Sequence, residues 1–262
     1  MQLQMYTLAS GSSGNCVLLS YGESHLLVDA GISCRKITTR LGTLGLTPGD
    51  LDGLLVTHTH ADHICGLNVL CKRWPVPIYA SGETCADLAR RVPPLAGGDT
   101  LHSLIPGEPV QLGEIAAQSF ATPHDAPGSV GYLFSAGGKR AAVVTDLGYL
   151  APTVSDALNQ VDLALVEANH DVDWLRTGPY PYYLQERVLG KYGHLSNEAC
   201  GELSVRLARS GASTLVLAHL SRENNTPQRA RETVSHMLES AGCEGVQLYV
   251  APRDELSQAY CV

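Results

Sequence analysis

Three histidines and an aspartate fall within six consecutive positions of the segment LVTHTHADHICGL at 55–67, directly after an apolar run. Imidazole and carboxylate groups are suitable ligands for divalent ions such as Zn, Mn or Fe. In an extended or tightly turning segment, His58 and His60 share a side and can bind one ion. Asp62 and His63, adjacent where a helix begins, point elsewhere and can reach a second ion. The segment therefore predicts half of a two-metal site.

Other short apolar runs also end in a residue that can bind metal or carry a proton. These runs are GLLVTHTH (53–60), SFATPH (119–124), AAVVTD (141–146), LALVEANH (163–170) and TLVLAH (214–219). Such runs are typical of buried strands. When the strands lie in packed sheets, their ends can fall along one edge, where catalytic loops over a rigid scaffold are expected. The pattern predicts a common cleft lined by His, Asp and Glu.

The stretches between the predicted strands show helical periodicity in their apolar residues. It predicts helices over 33–44, 64–73, 82–91, 197–209 and 227–239. The last two carry start signals, Ser196 with Glu198 and Thr226 followed by Pro227. Residues 2–30 are expected to form consecutive antiparallel strands interrupted by SGSSGN at 10–15, which is either a turn or a loop presenting N–H groups to phosphate. Strands followed by alternating helices and strands indicate a layered α/β domain.

Composition argues against a membrane-spanning protein, a disulfide-rich secreted protein and a protein that coats nucleic acid. The 262 residues are expected to form a single domain over 1–262, and no apolar run is long enough to span a membrane. The eight cysteines include no C-x-x-C pair, and the N-terminal stretch lacks the basic start of a signal peptide. We therefore expect reduced thiols and a cytoplasmic protein. The net charge of −8 argues against a protein that coats nucleic acid.

The segment HTHADH at 58–63 resembles the signature of the metallo-β-lactamase superfamily. That superfamily has an αββα four-layer sandwich, with a dinuclear metal site at one edge of the two sheets. It also requires a downstream His, Asp and His, which His124, Asp146 and His219 match in order. The resemblance implies that one ion is held by His58, His60 and His124 and the other by Asp62, His63 and His219. It further implies that Asp146 bridges the ions and that Asp29 in LLVDAG supports the site from behind.

Glu167 and His194 resemble a pair found in RNase Z-type nucleases, with Ser196 following as in the H-x-S motif. The resemblance implies that Glu167 positions His194, which protonates the departing oxygen, while Asp62 orients a hydroxide that bridges the metals. A phosphodiester has a poor alkoxide leaving group and needs such an acid, whereas a thiolate leaving group needs it much less. The alternative is that His194 is only a polar residue before the helix at 197–209.

Several motifs together look like the YycJ/WalJ (VicX) family: LASGSSGN, EANHD, YP at 180–181, GHLSN and LAHLSRENN. The resemblance covers nearly the whole chain and implies a metal-dependent DNA exonuclease. The direction of digestion stays open, and 5′-to-3′ is one of the two alternatives. Asn169, His170, Ser196 and Asn225 belong to these motifs and are candidates for substrate contact or for support of the site. Loop stabilisation is the other interpretation of each.

Two other functions are compatible with the same motifs. A phosphodiesterase of PhnP type would use the same metals and acid on a cyclic or small nucleotide. A regulatory partner of a two-component system would act without catalysis. The residues leave open the metal, the choice between DNA and RNA, and whether the chain forms a homo-oligomer. Basic residues come in small groups, so the nucleic-acid partner rests on the resemblance rather than on charge.

Overall fold

The computed structural model describes residues 1–262. Its strands are β1 (Gln4–Ala9), β2 (Cys16–Tyr21), β3 (Ser24–Val28), β4 (Gly53–Leu55), β5 (Ile78–Ser81), β6 (Leu101–Leu104), β7 (Pro109–Leu112), β8 (Ile115–Ala121), β9 (Val130–Ala136), β10 (Lys139–Val144), β11 (Leu163–Glu167), β12 (Thr214–Ala218), β13 (Gln247–Val250) and β14 (Tyr260–Cys261). Its helices are α1 (Cys34–Thr43), α2 (Ala61–Ile64), α3 (Leu67–Arg73), α4 (Gly82–Arg91), α5 (Pro152–Ala157), α6 (Val172–Thr177), α7 (Tyr182–Leu189), α8 (Asn197–Arg209) and α9 (Pro227–Ser240). Short 3₁₀ helices lie at Pro48–Asp50 and Pro93–Leu95.

The strands form two seven-stranded mixed sheets, in the orders β14-β1-β2-β3-β4-β5-β6 and β13-β12-β11-β10-β9-β8-β7. The first three strands pair antiparallel, as the sequence predicts. From β3 to β6 and from β10 to β13 the neighbours are parallel. Parallel neighbours end on the same side of a sheet, so the residues that follow β3, β4, β10, β11 and β12 can be brought together.

Side chains alternate across each strand, and this alternation builds four layers. In β2, Val17 and Leu19 pack into the core between the sheets, whereas Leu18 packs into an outer core. That outer core is covered by α1, α3 and α4. On the other sheet, alternate residues of β10 and β11 face a third core covered by α5, α8 and α9. The predicted αββα sandwich is thereby confirmed.

The helix predicted over 64–73 is wrong at its start. The chain forms α2, then turns through Cys65 and Gly66, and only then begins α3. Gly66 lies so close to the loop before α1 that a Cβ atom there would be 2.1 Å from the carbonyl oxygen of Ile32. Local periodicity does not record this packing, so the sequence predicts one helix where tertiary contact makes two.

None of the nine helices combines the length and apolar character that a bilayer crossing requires. All eight cysteines are unpaired.

Candidate metal centre and active site

Strand ends from both sheets deliver the predicted site residues to one cleft. His58 and His60 follow β4 in the first sheet, and Asp62 and His63 lie in the short helix α2. From the second sheet come the residues after β8, β10 and β12 and the last residue of β11, which are His124, Asp146, His219 and Glu167. The parallel strands β10, β11 and β12 are adjacent, which places their ends side by side.

Three site residues adopt a left-handed backbone that non-glycine residues rarely use. The φ angles are 61° at Asp29, 62° at Asp146 and 56° at His219. Asp29 and His219 directly follow a strand and Asp146 lies two residues after one, so the chain turns sharply where the side chain is needed. Such conformations cost about 1–3 kcal/mol each and persist where the surroundings hold them. Asp29 is held by Thr57, whose backbone N–H and hydroxyl both donate to its carboxylate at 2.8 Å.

The first group of potential ligands is His58, His60 and His124, whose ligand atoms lie within 4.8 Å of one another. His124 Nδ1 donates to the carbonyl of Gly193 at 3.2 Å, which leaves Nε2 to face the cleft. His60 Nδ1 lies 3.2 Å from that Nε2 atom. His58 Nε2 is buried without a hydrogen-bond partner. Three ring nitrogens therefore converge on one point.

The second group is Asp62, His63 and His219, whose ligand atoms also lie within 4.8 Å of one another. Asp29 Oδ2 lies 2.7 Å from His63 Nδ1, and Glu167 Oε1 lies 2.8 Å from His219 Nδ1. These carboxylates orient the two rings so that both Nε2 atoms face Asp62 Oδ2, at 3.5 and 3.4 Å. A carboxylate behind a histidine is the usual support for a metal ligand.

Asp146 lies between the two groups. Its Oδ2 is 3.3 Å from His63 Nε2, and its Oδ1 is 3.7 Å from His124 Nε2. Asp146 Oδ2 is buried and, like His58 Nε2, has no hydrogen-bond partner. Buried polar atoms without partners are costly, and a divalent cation at each group would satisfy both. The His/Asp clusters are suited to a dinuclear metal site, and their donor chemistry fits Zn, Mn or Fe.

The electrostatics differ between the two ligand groups, disfavouring charge on His58 and His60 and favouring it on His63 and His219. Burial lowers the pKa of His58 well below its usual value. Burial also opposes charge on His219, but Asp146, Asp62 and Glu167 outweigh it and raise the pKa of His219 to about 10. In Asp62, hydrogen bonds and charges from His219 and His63 overcome burial and lower the pKa. The carboxylates that stabilise these charged imidazoles would stabilise metal cations in the same way.

Glu167 is fully buried, and both of its carboxylate oxygens are occupied. Oε1 accepts from His194 Nδ1 at 2.7 Å and from His219 Nδ1 at 2.8 Å. Oε2 accepts the backbone N–H groups of Leu147 at 2.8 Å and Leu195 at 3.0 Å. Burial would raise the pKa of Glu167, but His194 and the other donors lower it to about 2. One carboxylate thus links a potential metal ligand to the predicted acid.

His194 lies at the wall of the cleft, with its side chain 22% exposed and Nδ1 3.6 Å from Asp146 Oδ1. Burial would lower its pKa, but the charge of Glu167 and the hydrogen bond to it raise the pKa. Because Nδ1 donates to Glu167, the accessible ring atom is Nε2. The helix cap of α8 is Ser196, which accepts from Ala199 N–H at 3.2 Å, so His194 is free of that structural task.

The other motif residues lie behind the cleft. Asn169 donates to the carbonyl of His219 at 2.9 Å, and Asn225 donates to the carbonyl of Ala168 at 2.9 Å. Both side chains are buried and brace the loops after β11 and β12. His170 is also buried, but neither of its ring nitrogens has a partner.

The sequence analysis missed residues that touch the cleft. Asn15 Nδ2 lies 3.2 Å from His63 Nε2, and the Asn15 N–H donates to the Asp62 carbonyl at 2.8 Å. Asp125 lies at the mouth, 3.6 Å from His60 Nε2, and pairs with Arg187 at 2.6 Å. Asn15 belongs to the SGSSGN segment, which signalled a turn or phosphate loop. Asp125 follows His124 directly, but no spacing rule marks it.

The cleft opens as a cavity of about 350 Å³. Asp62, His194 and His219 line its floor and walls, and Ser12 of the SGSSGN segment reaches one side. Three residues of α7 also line the cavity, namely Leu184, Arg187 and Val188. The cavity therefore brings the proposed acid, both ligand groups and a basic side chain to one open space.

Comparison with known proteins agrees with this architecture. The model of the beta-lactamase superfamily domain matches residues 24–220. The exodeoxyribonuclease WalJ of Streptococcus pneumoniae is 37% identical over 89% of this chain and 87% of its own length. The exodeoxyribonuclease YycJ of Bacillus anthracis is 34% identical over 92% of this chain and 91% of its own length.

The crystal structure of YhfI from Bacillus subtilis, a metallo-beta-lactamase fold protein, superposes with a TM-score of 0.77 at 17% identity and covers 100% of both chains. At that identity the superposition supports the fold alone. The two sequence relatives support membership of the same family. The chain belongs to the metallo-β-lactamase superfamily and, within it, to the WalJ/YycJ family of hydrolases.

Proposed function

We propose that this protein is a metal-dependent phosphodiesterase that acts as a DNA exonuclease. Two relatives that match along most of the chain are named exodeoxyribonucleases. The observation that carries the proposal is the shared carboxylate of Glu167, which holds His194 and His219 through the same oxygen. This contact supports a proton-donor role for His194 beside the potential metal ligands, and a poor alkoxide leaving group requires such a donor.

The residues that would hold the metals are the two convergent groups described above. His58, His60 and His124 would bind one ion, Asp62, His63 and His219 the other, and Asp146 would contact both. When bound, two divalent ions polarise the phosphate and make water a better nucleophile at neutral pH. Glu167 and Asp29 orient ligand rings from behind the site and raise the basicity of the ring atoms that face it.

His194 is the proposed general acid, and Asp62 is the proposed group that orients the attacking water. Since Glu167 fixes His194 Nδ1, the Nε2 atom would deliver its proton to the departing oxygen. The contacts of Asp62 with His63, His219 and Asn15 run through Oδ2. Its Oδ1 is therefore able to accept a hydrogen bond from water at the open side of the cleft.

Exposed aromatic side chains beside the cleft support a nucleic-acid substrate. Tyr182 and Tyr183 are 75% and 74% exposed at the start of α7, whose later residues line the cavity. Tyr192 is 62% exposed on the loop before His194. Aromatic surfaces of this kind stack unpaired bases without regard to sequence. Lys191 supplies positive charge on the same segment, while the charge of Arg187 is paired with Asp125.

Hydrolysis of end-labelled single- and double-stranded DNA and RNA with Mn²⁺ or Zn²⁺ tests the proposal. We expect stepwise loss of nucleotides from one DNA end by the wild type and by His236→Ala, an exposed control on α9. Asp62→Ala should abolish this loss. Cleavage of RNA in preference to DNA would contradict the DNA assignment. Intact polymers together with hydrolysis of a small cyclic nucleotide would favour the PhnP-type alternative, and no hydrolysis under any condition would favour the regulatory one.

A further inference from the structure

A second cavity also borders His194. It has a volume of about 400 Å³ and lies between the loop at 148–150, the end of α7 and one face of α8. His194 is the residue that lines both this cavity and the cleft. The proposed acid therefore borders two spaces, one lined by potential metal ligands and one that contains none of them.

The second cavity contains a buried polar group with unmet hydrogen bonds. His170 lines it, is only 1% exposed, and has no partner at Nδ1 or at Nε2. Burial lowers the pKa of His170 to about 4, so the ring is neutral near pH 7. A neutral imidazole offers one donor and one acceptor, and leaving both unmet is costly. These atoms suit a ligand that carries both kinds of group, such as a nucleobase or a sugar hydroxyl.

We propose that this cavity binds the terminal nucleotide of the strand, which departs as the leaving group. The inference rests on the proposed nuclease function. If His194 protonates the departing oxygen, the phosphate lies on the metal-ligand side of His194. The departing oxygen must also lie within hydrogen-bond reach of His194, so the nucleoside attached to it lies next to His194, which the second cavity borders.

The size and lining of the cavity fit one nucleotide rather than a strand. Its volume lies in the range of small-molecule sites. Tyr149, 46% exposed, stands on its wall and can stack on a base. Arg206 lines it as well, and its guanidinium makes only a long contact of 3.4 Å to Ser155 Oγ, which leaves donors for a terminal phosphate.

The bond changes assign the new phosphate to the shortened strand. Water attacks phosphorus, the bond from phosphorus to the terminal nucleotide's oxygen breaks, and His194 Nε2 gives that oxygen a proton. The proton lost by the water passes to solvent. If the broken bond involves the 3′-oxygen, digestion runs from the 5′ end, and each step leaves a 5′-phosphate on the strand.

An oligodeoxynucleotide with a 5′-hydroxyl end tests this assignment. The first product should be a nucleoside without phosphate, and the remaining strand should carry the new phosphate. A first product that carries the new phosphate would overturn the inference while leaving the nuclease function intact. Failure to hydrolyse any oligonucleotide would instead overturn the proposed function and the inference together.

Filling the cavity gives a second test. Ala199→Trp projects into the cavity from α8, and Glu198→Trp on the same helix is exposed outside it. Ala199→Trp should raise KM for the oligonucleotide about tenfold or more, the scale expected when base stacking is lost. It should also abolish binding of thymidine 5′-monophosphate measured by calorimetry. His170→Leu should raise KM for the oligonucleotide and weaken binding of thymidine 5′-monophosphate. Glu198→Trp should change neither quantity. Unchanged KM and nucleotide binding in Ala199→Trp would refute the subsite.

Discussion

At the scale of single residues, Glu167 links the proposed metal ligand His219 to the proposed acid His194. Its Oε1 accepts from His219 and His194, while two backbone N–H groups fix Oε2. A buried carboxylate with four donors cannot rotate without breaking hydrogen bonds, so both rings keep their orientation. We regard Glu167 as a positioning residue, since it acts through the two histidines.

Glu167→Gln should impair metal binding and proton delivery at once. The substitution keeps the shape but removes the charge and places an amide donor where acceptors are needed. We expect metal affinity to fall about 10- to 100-fold, as measured by competition with a chromophoric chelator, and kcat on DNA to fall as well. Glu239→Gln, an exposed control on α9, should change neither quantity. A loss of kcat with full metal affinity would show that Glu167 serves His194 alone.

Residue patterns predicted much of the cleft because most of its members follow apolar runs. His58, His60, His124, Asp146 and His219 are all visible in that way. Asn15 and Asp125 were not identified, because their contacts with the cleft come from packing between distant segments. The backbone of Asn15, for example, meets Asp62 across 47 positions of chain. Periodicity and spacing record strands, but not which loop will cover a neighbour.

At the scale of elements, the loops after β1 and β3 hold α2 in place. The Asn15 N–H donates to the carbonyl of Asp62, and the Ala30 N–H donates to the carbonyl of His63. Gly31 sits between these contacts, and a Cβ atom there would lie 1.7 Å from the Asp62 carbonyl oxygen. Only glycine allows this approach, so the residue's role is to let α2 dock against the N-terminal loop.

Gly31→Ala should displace α2 and weaken the metal site. We expect lower metal content after dialysis against a weak chelator, together with a lower midpoint of thermal unfolding. Gly42→Ala in α1 is the matched control, because its Cβ would meet nothing within 4 Å and alanine favours a helix. If Gly31→Ala retained the metal content and midpoint of Gly42→Ala, close docking of α2 would not be required.

The helix α7 has no buried residue, which suits a surface that contacts substrate rather than the core. Replacement of both Tyr182 and Tyr183 by Ala should raise KM for single-stranded DNA, since one stacked base contributes ~1–3 kcal/mol. The value of kcat should hold, because neither side chain lines the cleft. Steady-state kinetics on single-stranded and blunt duplex DNA measure the effect. An unchanged KM on single strands would exclude stacking by this pair.

At the scale of the whole molecule, the two sheets form a rigid frame whose strand ends define the cleft. Three separate cores hold the layers, and the central one contains the large buried rings of Tyr132 and Phe134. Short apolar runs predicted the strands and a layered α/β domain, and the resemblance of HTHADH to the superfamily signature predicted the αββα sandwich. The junction between α2 and α3 was not predictable, since it depends on contact with the loop before α1.

Metal removal should lower the stability of the whole fold, because the site joins elements from both sheets. A ligand that binds only the folded state contributes ~2.7 kcal/mol when its free concentration is about 100 times Kd. For a chain of this size, that corresponds to several degrees in the unfolding midpoint. Differential scanning calorimetry with and without a chelator measures the shift. The unfolding midpoint of Asp146→Asn should change much less when the chelator is added. An equal change in that variant would mean that the chelator acts elsewhere.

The central claim is that His194 supplies the proton for a poor leaving group at this metal centre, and its most direct test compares two substrates. His194→Ala should lower kcat on DNA by ~10²–10⁴-fold, since an alkoxide must be protonated as it departs. On bis-p-nitrophenyl phosphate, whose leaving group needs no proton, the same variant should retain most of the wild-type rate. A loss of equal size on both substrates would contradict the claim and assign His194 a role in holding the site together.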